Sequence, residues 1–302
     1  MRPSAPLPLS PLRPPMRLQR RDVLRGGAAL VTGGALTVAI DSLCLTPFKL
    51  DVSHHSCGVP TPLPVNPAAP APPASRRLRI AHVSDLHLHR VGPLEERVLA
   101  ALHRLEPDLL VITGDSLSAA RGEGPLLNFL AACPNVPHRL AILGNWEISS
   151  GVSVARLRAH HERHGFELLV NRSVRLAIGD RSVRVTGFDD IRQGRPDPVA
   201  ALAGAEPCDH HLVLAHCPVH RDKLALPAEH PADLVLSGHT HGGQVAPGGV
   251  ALLTPPGSGR YVAGWYRDGG PPLFVSRGIG TSTLPIRLGS VPELACIDWH
   301  LS

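Results

Sequence analysis

An α/β fold with mixed sheets is what this sequence predicts, and three observations predict it. Five short apolar runs each stop at polar, ligand-type residues; a helix-patterned segment joins the first two; and later segments read as hairpins. Apolar runs of three to six, rich in Val, Ile and Leu, fit strands buried on both faces. Strand–helix–strand order implies parallel pairing, and hairpins imply antiparallel pairing, so the sheets are expected to be mixed.

The runs are 78–83, ending in Ser84-Asp85-Leu86-His87; 109–112, ending in Thr113-Gly114-Asp115; 140–143, ending in Gly144-Asn145-Trp146-Glu147; 211–215, ending in His216; and 234–236, ending in Ser237-Gly238-His239-Thr240-His241. Between the first two, Leu94, Val98, Leu102 and Leu105 fall at helical spacing behind Pro93, which predicts a helix over 93–105. A second helix is predicted over 152–164, stopped by Gly165. Hairpins are predicted for 174–178 with 182–186, and for 261–267 with 273–277 around Asp268-Gly269-Gly270. Gly242-Gly243-Gln244 is expected to lead from a loop into a strand. His160, His161, His164, His210 and His211 are expected at the surface.

The net charge of +5 invites a nucleic-acid reading until it is partitioned. Residues 1–77 hold nine basic and three acidic side chains, a net +6, while 78–302 hold 21 and 22, a net −1. The globular part is neutral and aromatics are only 3%, so no nucleic-acid partner is expected. Gln19-Arg20-Arg21-Asp22-Val23-Leu24-Arg25 precedes an apolar stretch over 26–40 and resembles a twin-arginine export signal. That stretch is shorter than the ~20 residues that span a bilayer comfortably, which favours a signal over an anchor. Met16 is an alternative start. Seven prolines between 58 and 74 make a semi-rigid spacer. The expected organisation is a twin-arginine signal or anchor over 1–45, a Pro-rich linker over 46–77 and a catalytic domain over 78–302. The twin-arginine translocase is then a partner, and the location is the periplasm or the outer face of the inner membrane.

Together the run ends present Asp85, His87, Asp115, Asn145, His216, His239 and His241. These oxygen and nitrogen donors suit divalent ions of intermediate hardness: Mn, Fe, Zn or Co. Seven candidate ligands exceed the need of one ion, and a carboxylate can bridge, so two ions are expected. A pair about 3.5–4 Å apart clamps a phosphoryl oxygen and makes a hydroxide nucleophile at neutral pH. Gly114, Gly144 and Gly238 are expected to give turns that allow close backbone approach.

The order Asp-x-His, Gly-Asp, Gly-Asn, His, Gly-His-x-His resembles the calcineurin-like metallophosphoesterase superfamily, from residue 78 to the end of the chain. That resemblance implies a four-layer α/β/β/α sandwich of two mixed β-sheets and a metal-dependent phosphoesterase, a hydrolase of phosphodiesters or phosphomonoesters. It also implies one ion on Asp85, His87 and His241, a second on Asn145, His216 and His239, and Asp115 bridging. The superfamily usually carries His after Gly-Asn, where this chain has Trp146. An indole N–H donates a hydrogen bond but delivers no proton, and general-acid help is worth ~10²–10⁴-fold. Three outcomes follow: slower turnover, a substitute acid such as His89 or Glu147, or a good leaving group such as pyrophosphate. A catalytically weak metal-binding scaffold is a fourth reading, and Glu147 is alternatively a partner behind the ligands. Arg277 and Arg287, in segments resembling the closing part of exported bacterial members, are candidate substrate-binding residues, with a structural role equally open. The exported branch is linked to lipid-like substrates and membrane association. One sub-branch resembles the UDP-2,3-diacylglucosamine pyrophosphohydrolases of lipid A biosynthesis.

Overall fold

The computed structural model describes residues 36–58 and 77–301. The Arg20-Arg21 pair and the proline run between 59 and 76 lie outside the described residues. The first strand, β1 (Asp51–Cys57), is followed by β2 (Arg77–Val83), α1 (Pro93–Leu105), β3 (Leu109–Thr113), α2 (Glu123–Ala132), β4 (His138–Ile142), α3 (Asn145–Ser149), α4 (Val154–Arg163) and β5 (Glu167–Leu168). Next come β6 (Arg172–Ile178), β7 (Arg181–Gly187), α5 (Pro198–Ala201), β8 (His210–Leu214), α6 (His220–Lys223), β9 (Leu234–Ser237), β10 (Gly264–Tyr266), β11 (Leu273–Val275) and β12 (Glu293–His300).

Two six-stranded mixed sheets result, ordered β1-β12-β2-β3-β4-β5 and β10-β11-β9-β8-β7-β6. Strands β2, β3 and β4 run parallel, as do β7, β8 and β9, while both predicted hairpins, β6–β7 and β10–β11, are antiparallel. The alternation of side chains along each strand sorts the apolar runs into layers. Leu109 and Val111 of β3 face Leu212, Leu214, Leu234 and Leu236 across the space between the sheets. Leu110 and Ile112 point the other way, against Val98 and Leu102 of α1 and Leu126 and Phe129 of α2. Val213 and Val235 form the outer face of the second sheet, with Phe188, Ala201 and Tyr261. Each fully buried side chain of this kind contributes roughly 1.5–3 kcal/mol. The fourth layer is thin, with two four-residue helices, α5 and α6, and loops.

Helix α1 spans the predicted residues, and the Glu95 carboxylate accepts the Gly92 N–H at its start. Helix α4 is a little shorter than predicted, because the Ser153 hydroxyl caps it by accepting from Arg156 N–H. Several expectations are corrected. The linker expected over 46–77 contains a strand: β1 pairs in parallel with β12, Asp51 opposite Glu293 through Cys57 opposite Trp299. Its polar residues are tolerated because β1 is an edge strand. Gly242-Gly243-Gln244 does not lead into a strand; His241–Gly243 is a 3₁₀ turn with Gly242 at φ 60°. His161, His210 and His211 are buried rather than superficial. His161 bonds the Leu157 carbonyl, and His211 bonds Thr186 and the His230 and Pro231 carbonyls.

Candidate metal centre

Five strand ends supply the candidate ligands. Asp85 and His87 follow β2, Asp115 follows β3, Asn145 opens α3 after β4, His216 follows β8, and His239 and His241 follow β9. Ligand atoms of Asp85, His87 and His241 lie within 4.8 Å of one another, as do those of Asp115, His216 and His239. All six residues are buried. Asp115 joins the two groups, its Oδ2 lying 3.8 Å from His87 Nε2 and 3.1 Å from His216 Nε2.

Hydrogen bonding behind the imidazoles decides which nitrogens face inward. His216 Nδ1 lies 2.7 Å from the Thr113 carbonyl, and His239 Nε2 lies 2.9 Å from the Pro256 carbonyl. A carbonyl only accepts, so those nitrogens carry protons, and in the neutral rings His216 Nε2 and His239 Nδ1 are lone pairs. They face each other at 3.2 Å. His87 and His241 bring their Nε2 atoms to 3.1 Å, with Ser118 Oγ 2.8 Å behind His87 Nδ1 and the Arg287 guanidinium 3.2 Å behind His241 Nδ1. A guanidinium only donates, so His241 Nδ1 accepts and its Nε2–H donates to His87 Nε2. Asn145 Oδ1 is buried without a hydrogen-bond partner. The inward lone pairs of His87 and His239, two carboxylates and an orphaned amide oxygen converge in one place, which fits a site for cations, and the carbonyls behind His216 and His239 fit ligand-orienting groups.

The electrostatics agree. Burial pushes His87 down to about 4 and holds His239 low, and it puts His241 well below the ordinary imidazole range, with His87 and Arg287 adding to the effect. These three rings are therefore neutral, as ligands must be. Burial opposes charge on His216, but the Asp115 carboxylate beside it, with Asp85, raises it well above the ordinary value. The same ion pair holds Asp115 well below the usual carboxylate range against the effect of burial. Positive charge is favoured at this point, whether a proton or a metal ion carries it.

The site also holds strained backbone. Asp85 (φ 54°), His87 (46°), Asp115 (54°), His239 (73°) and His241 (51°) are all left-handed, a conformation costing non-glycine residues roughly 1–3 kcal/mol each. Backbone bonds hold it: Asp85 N–H to Gly114 O at 3.0 Å, His87 N–H to Asp115 O at 2.9 Å, and Gly280 N–H to Asp85 O at 2.7 Å. Gly144 and Gly238 serve closeness more than turning, since neither has positive φ. A β-carbon on Gly144 would collide with Asp115 Oδ1, and one on Gly238 with Ser84 Oγ and Asp85 Oδ2.

Known proteins place this arrangement. The Calcineurin-like phosphoesterase family profile matches residues 78–243. The chain belongs to the calcineurin-like phosphoesterase family. It is 28% identical to the uncharacterized metallophosphoesterase YkuE of Bacillus subtilis, over 92% of this chain and 96% of that one. It is 30% identical to phosphodiesterase YaeI of Escherichia coli, over 73% and 81%. It is also 27% identical to UDP-2,3-diacylglucosamine pyrophosphatase LpxG of Chlamydia muridarum, over 56% and 65%.

Around this calcineurin-like site, the remaining sequence candidates divide. A cavity of about 310 Å³ opens over the ligands and is lined by Asp115, Asn145, His239 and His241 with Trp146, Arg192 and Gln193. Trp146 stands where the resemblance places it, with its ring edge-on to His87 at 5.7 Å. Glu147 is not at the mouth. It is buried, and its carboxylate accepts the N–H groups of Asp115, Gly144 and Ser116; burial, with Asp115 adding, raises it to about 7. It clamps two ligand loops together. His89 is exposed and opens onto a different cavity, with Phe48 and Pro285, because the Leu88 N–H is tied to Ser116 O and the chain then turns outward. Neither is placed to protonate a leaving group.

Arg287 does not bind substrate from where it stands. It is 0% exposed, and its guanidinium donates to the carbonyls of Arg277, Gly278, Gly280 and Ser290 and lies 3.2 Å from His241 Nδ1. It knits the closing segment to the His241 loop. Arg277 is engaged by Asp51 and Glu293. Sequence reasoning missed Arg192 and Gln193, which carry no motif; the available signal was the Asp189-Asp190 pair with Gly194 after it, a turn signature.

Proposed function

We propose that this protein is an exported, membrane-proximal hydrolase of phosphoesters that works with two divalent ions, Mn, Fe, Zn or Co. The observation that carries this reading is the pair of buried ligand triads joined by Asp115, with inward lone pairs and the unpartnered Asn145 oxygen. Asp85, His87 and His241 would hold one ion, Asn145, His216 and His239 the other, and Asp115 both. Such ions supply Lewis acidity and a nucleophile at neutral pH. The chain's own part is to fix the tautomers of His216 and His239 through the Thr113 and Pro256 carbonyls, to orient His87 through Ser118, and to hold the ligand loops with Glu147 and Arg287. With Trp146 at the mouth, Glu147 engaged between two loops and His89 turned outward, leaving groups that need little protonation are favoured: the aryloxide of an aryl phosphoester, or the phosphate released from a phosphoanhydride.

A second reading, a lipid-linked pyrophosphate of the kind named for the Chlamydia relative, is favoured by one observation. An apolar cavity of about 470 Å³, lined by Val245, Leu252, Leu253, Leu284 and Ile286, shares His241, Pro255, Ser282 and Thr283 with the mouth. Leu252 is 62% and Leu253 83% exposed at its rim. An acyl chain would lie there. The twin-arginine leader and proline spacer would bring the domain to a membrane.

The test uses the full chain with Mn, Fe, Zn or Co, assayed on bis-p-nitrophenyl phosphate, p-nitrophenyl phosphate, short- and long-chain diacyl phosphodiesters and UDP-2,3-diacylglucosamine. The expected result is hydrolysis that a chelator abolishes and added ion restores. Leu253→Ser is expected to raise KM for long-chain substrates about tenfold, the loss of much of one leucine contact, leaving short ones unchanged. Two bound ions without hydrolysis of any phosphoester would replace this reading with the metal-binding scaffold.

A further inference from the structure

Arg192 lines the cavity over the two triads and is the one Arg or Lys among the described residues that does so. Its side chain is exposed, and its guanidinium has no hydrogen bond or ion pair among the described residues. The loop's two carboxylates are engaged instead by the backbone that carries it and by the site floor. Asp190 Oδ1 accepts the N–H groups of Arg192 at 2.9 Å and Gln193 at 2.8 Å. Gly194 N–H donates to the Asp190 carbonyl at 2.8 Å, and Asp189 Oδ2 accepts Arg195 N–H at 2.8 Å. The loop is fastened to the site floor as well. Asp190 is 1% exposed, and its Oδ2 accepts the Cys217 thiol at 3.1 Å, one residue beyond His216.

We infer that Arg192 is the phosphate-binding arm of this site, a specificity residue that grips non-bridging oxygens of a phosphoryl group held over the ligands. This rests on the phosphoester reading above. A guanidinium matches the geometry of a tetrahedral anion with two parallel N–H donors and stays charged at any working pH. In phosphoryl transfer, charge spreads over the equatorial oxygens in the transition state, and a positioned cation stabilises it. Arg192 forms no covalent bond and moves no proton, so it complements Trp146 rather than replacing a general acid. The preset loop matters because its backbone is already held at the mouth, so only side-chain freedom is lost when Arg192 engages its ligand.

The experiment compares wild type with Arg192→Gln and Arg192→Lys, full chains loaded with the same ion. Inorganic phosphate binding is titrated calorimetrically, turnover of bis-p-nitrophenyl phosphate is measured in parallel, and metal content is determined for each. Arg192→Gln is expected to weaken phosphate binding about 10–100-fold, the scale of a charge-assisted bidentate contact. It is expected to lower kcat/KM by a similar factor, with two ions retained. Arg192→Lys is expected to recover part of both. Phosphate binding and kcat/KM of Arg192→Gln within twofold of wild type would overturn the inference, as would metal-loaded wild type that binds no phosphate. If wild type binds phosphate through Arg192 yet hydrolyses no ester, the inference stands and the hydrolytic reading falls.

Discussion

Two polar clusters in this molecule, one half-buried and one buried, look alike in composition and differ in balance. At the edge of the first sheet, Glu293 accepts from the Ser53 hydroxyl at 2.7 Å, from the Arg277 backbone at 3.0 Å and from the Arg277 guanidinium at 3.0 Å, while Arg277 also pairs with Asp51. Donors meet acceptors there, and the cluster closes on itself. At the strand ends, by contrast, imidazole nitrogens approach each other at 3.1 and 3.2 Å, two carboxylates lie close by, and an amide oxygen has no partner. Buried polar groups are costly unless paired. A balanced cluster is therefore read as structure, and one with surplus acceptors as a site for a cation. The left-handed backbone at five of the ligand positions points the same way.

The comparison predicts a double dissociation. Asp115→Asn keeps an oxygen to accept the Trp146 N–H, which Asp115 Oδ1 now takes at 2.9 Å, but removes the charge that joins the triads. Phosphodiester turnover is expected to fall by at least about 10³-fold, since on the proposed assignment both ions would depend on that carboxylate. Its Tm in chelator is expected to fall by several degrees, because the variant also gives up the ion pair with His216, and activity is therefore compared per folded molecule. Steady-state kinetics and thermal unfolding check the two halves.

Glu293→Gln should do the reverse, with a smaller effect. Burial alone would raise the Glu293 carboxyl, but hydrogen bonds from His55 and Arg277 and the Arg277 charge lower it from 4.5 to about 2. A lowered carboxyl stabilises the fold above its unfolded value and loses that contribution as pH falls through its folded value. Wild type is thus expected to exceed Glu293→Gln by roughly 2–3 kcal/mol at pH 7, with the two converging between pH 4.5 and pH 2. Denaturant unfolding across that range reads it, and activity per folded molecule should stay within about twofold of wild type. A loss of activity as large as that of Asp115→Asn would erase the distinction between the clusters.

The ligand cluster was legible because each ligand closes an apolar run, and burial of the run dictates where its end must lie. Helix α1 was legible for the same reason, one apolar face per turn. The edge cluster was not. Asp51–Cys57 has the polar, half-exposed pattern of an edge strand, and its partner Glu293 lies more than 200 residues away, with the proline run intervening in sequence. Arg277 and Arg287 showed only charge in a glycine-rich segment, which reads equally as binder or buttress. The carbonyls that surround Arg287 arise only when the His241 loop and the segment after β11 meet. Glu147 showed a carboxylate near the site, but its three N–H partners come from two separate loops.

The central claim is that the surplus acceptors belong to two metal ions. The direct measurement is metal content per chain after saturation with Mn, Fe, Zn or Co and removal of loose ion, for wild type and Asn145→Ala. Two ions in wild type and one in Asn145→Ala are predicted, since on the proposed assignment Asn145 would serve a single ion through its unpartnered oxygen. Wild type that retains no more than one ion with every metal offered would contradict the account.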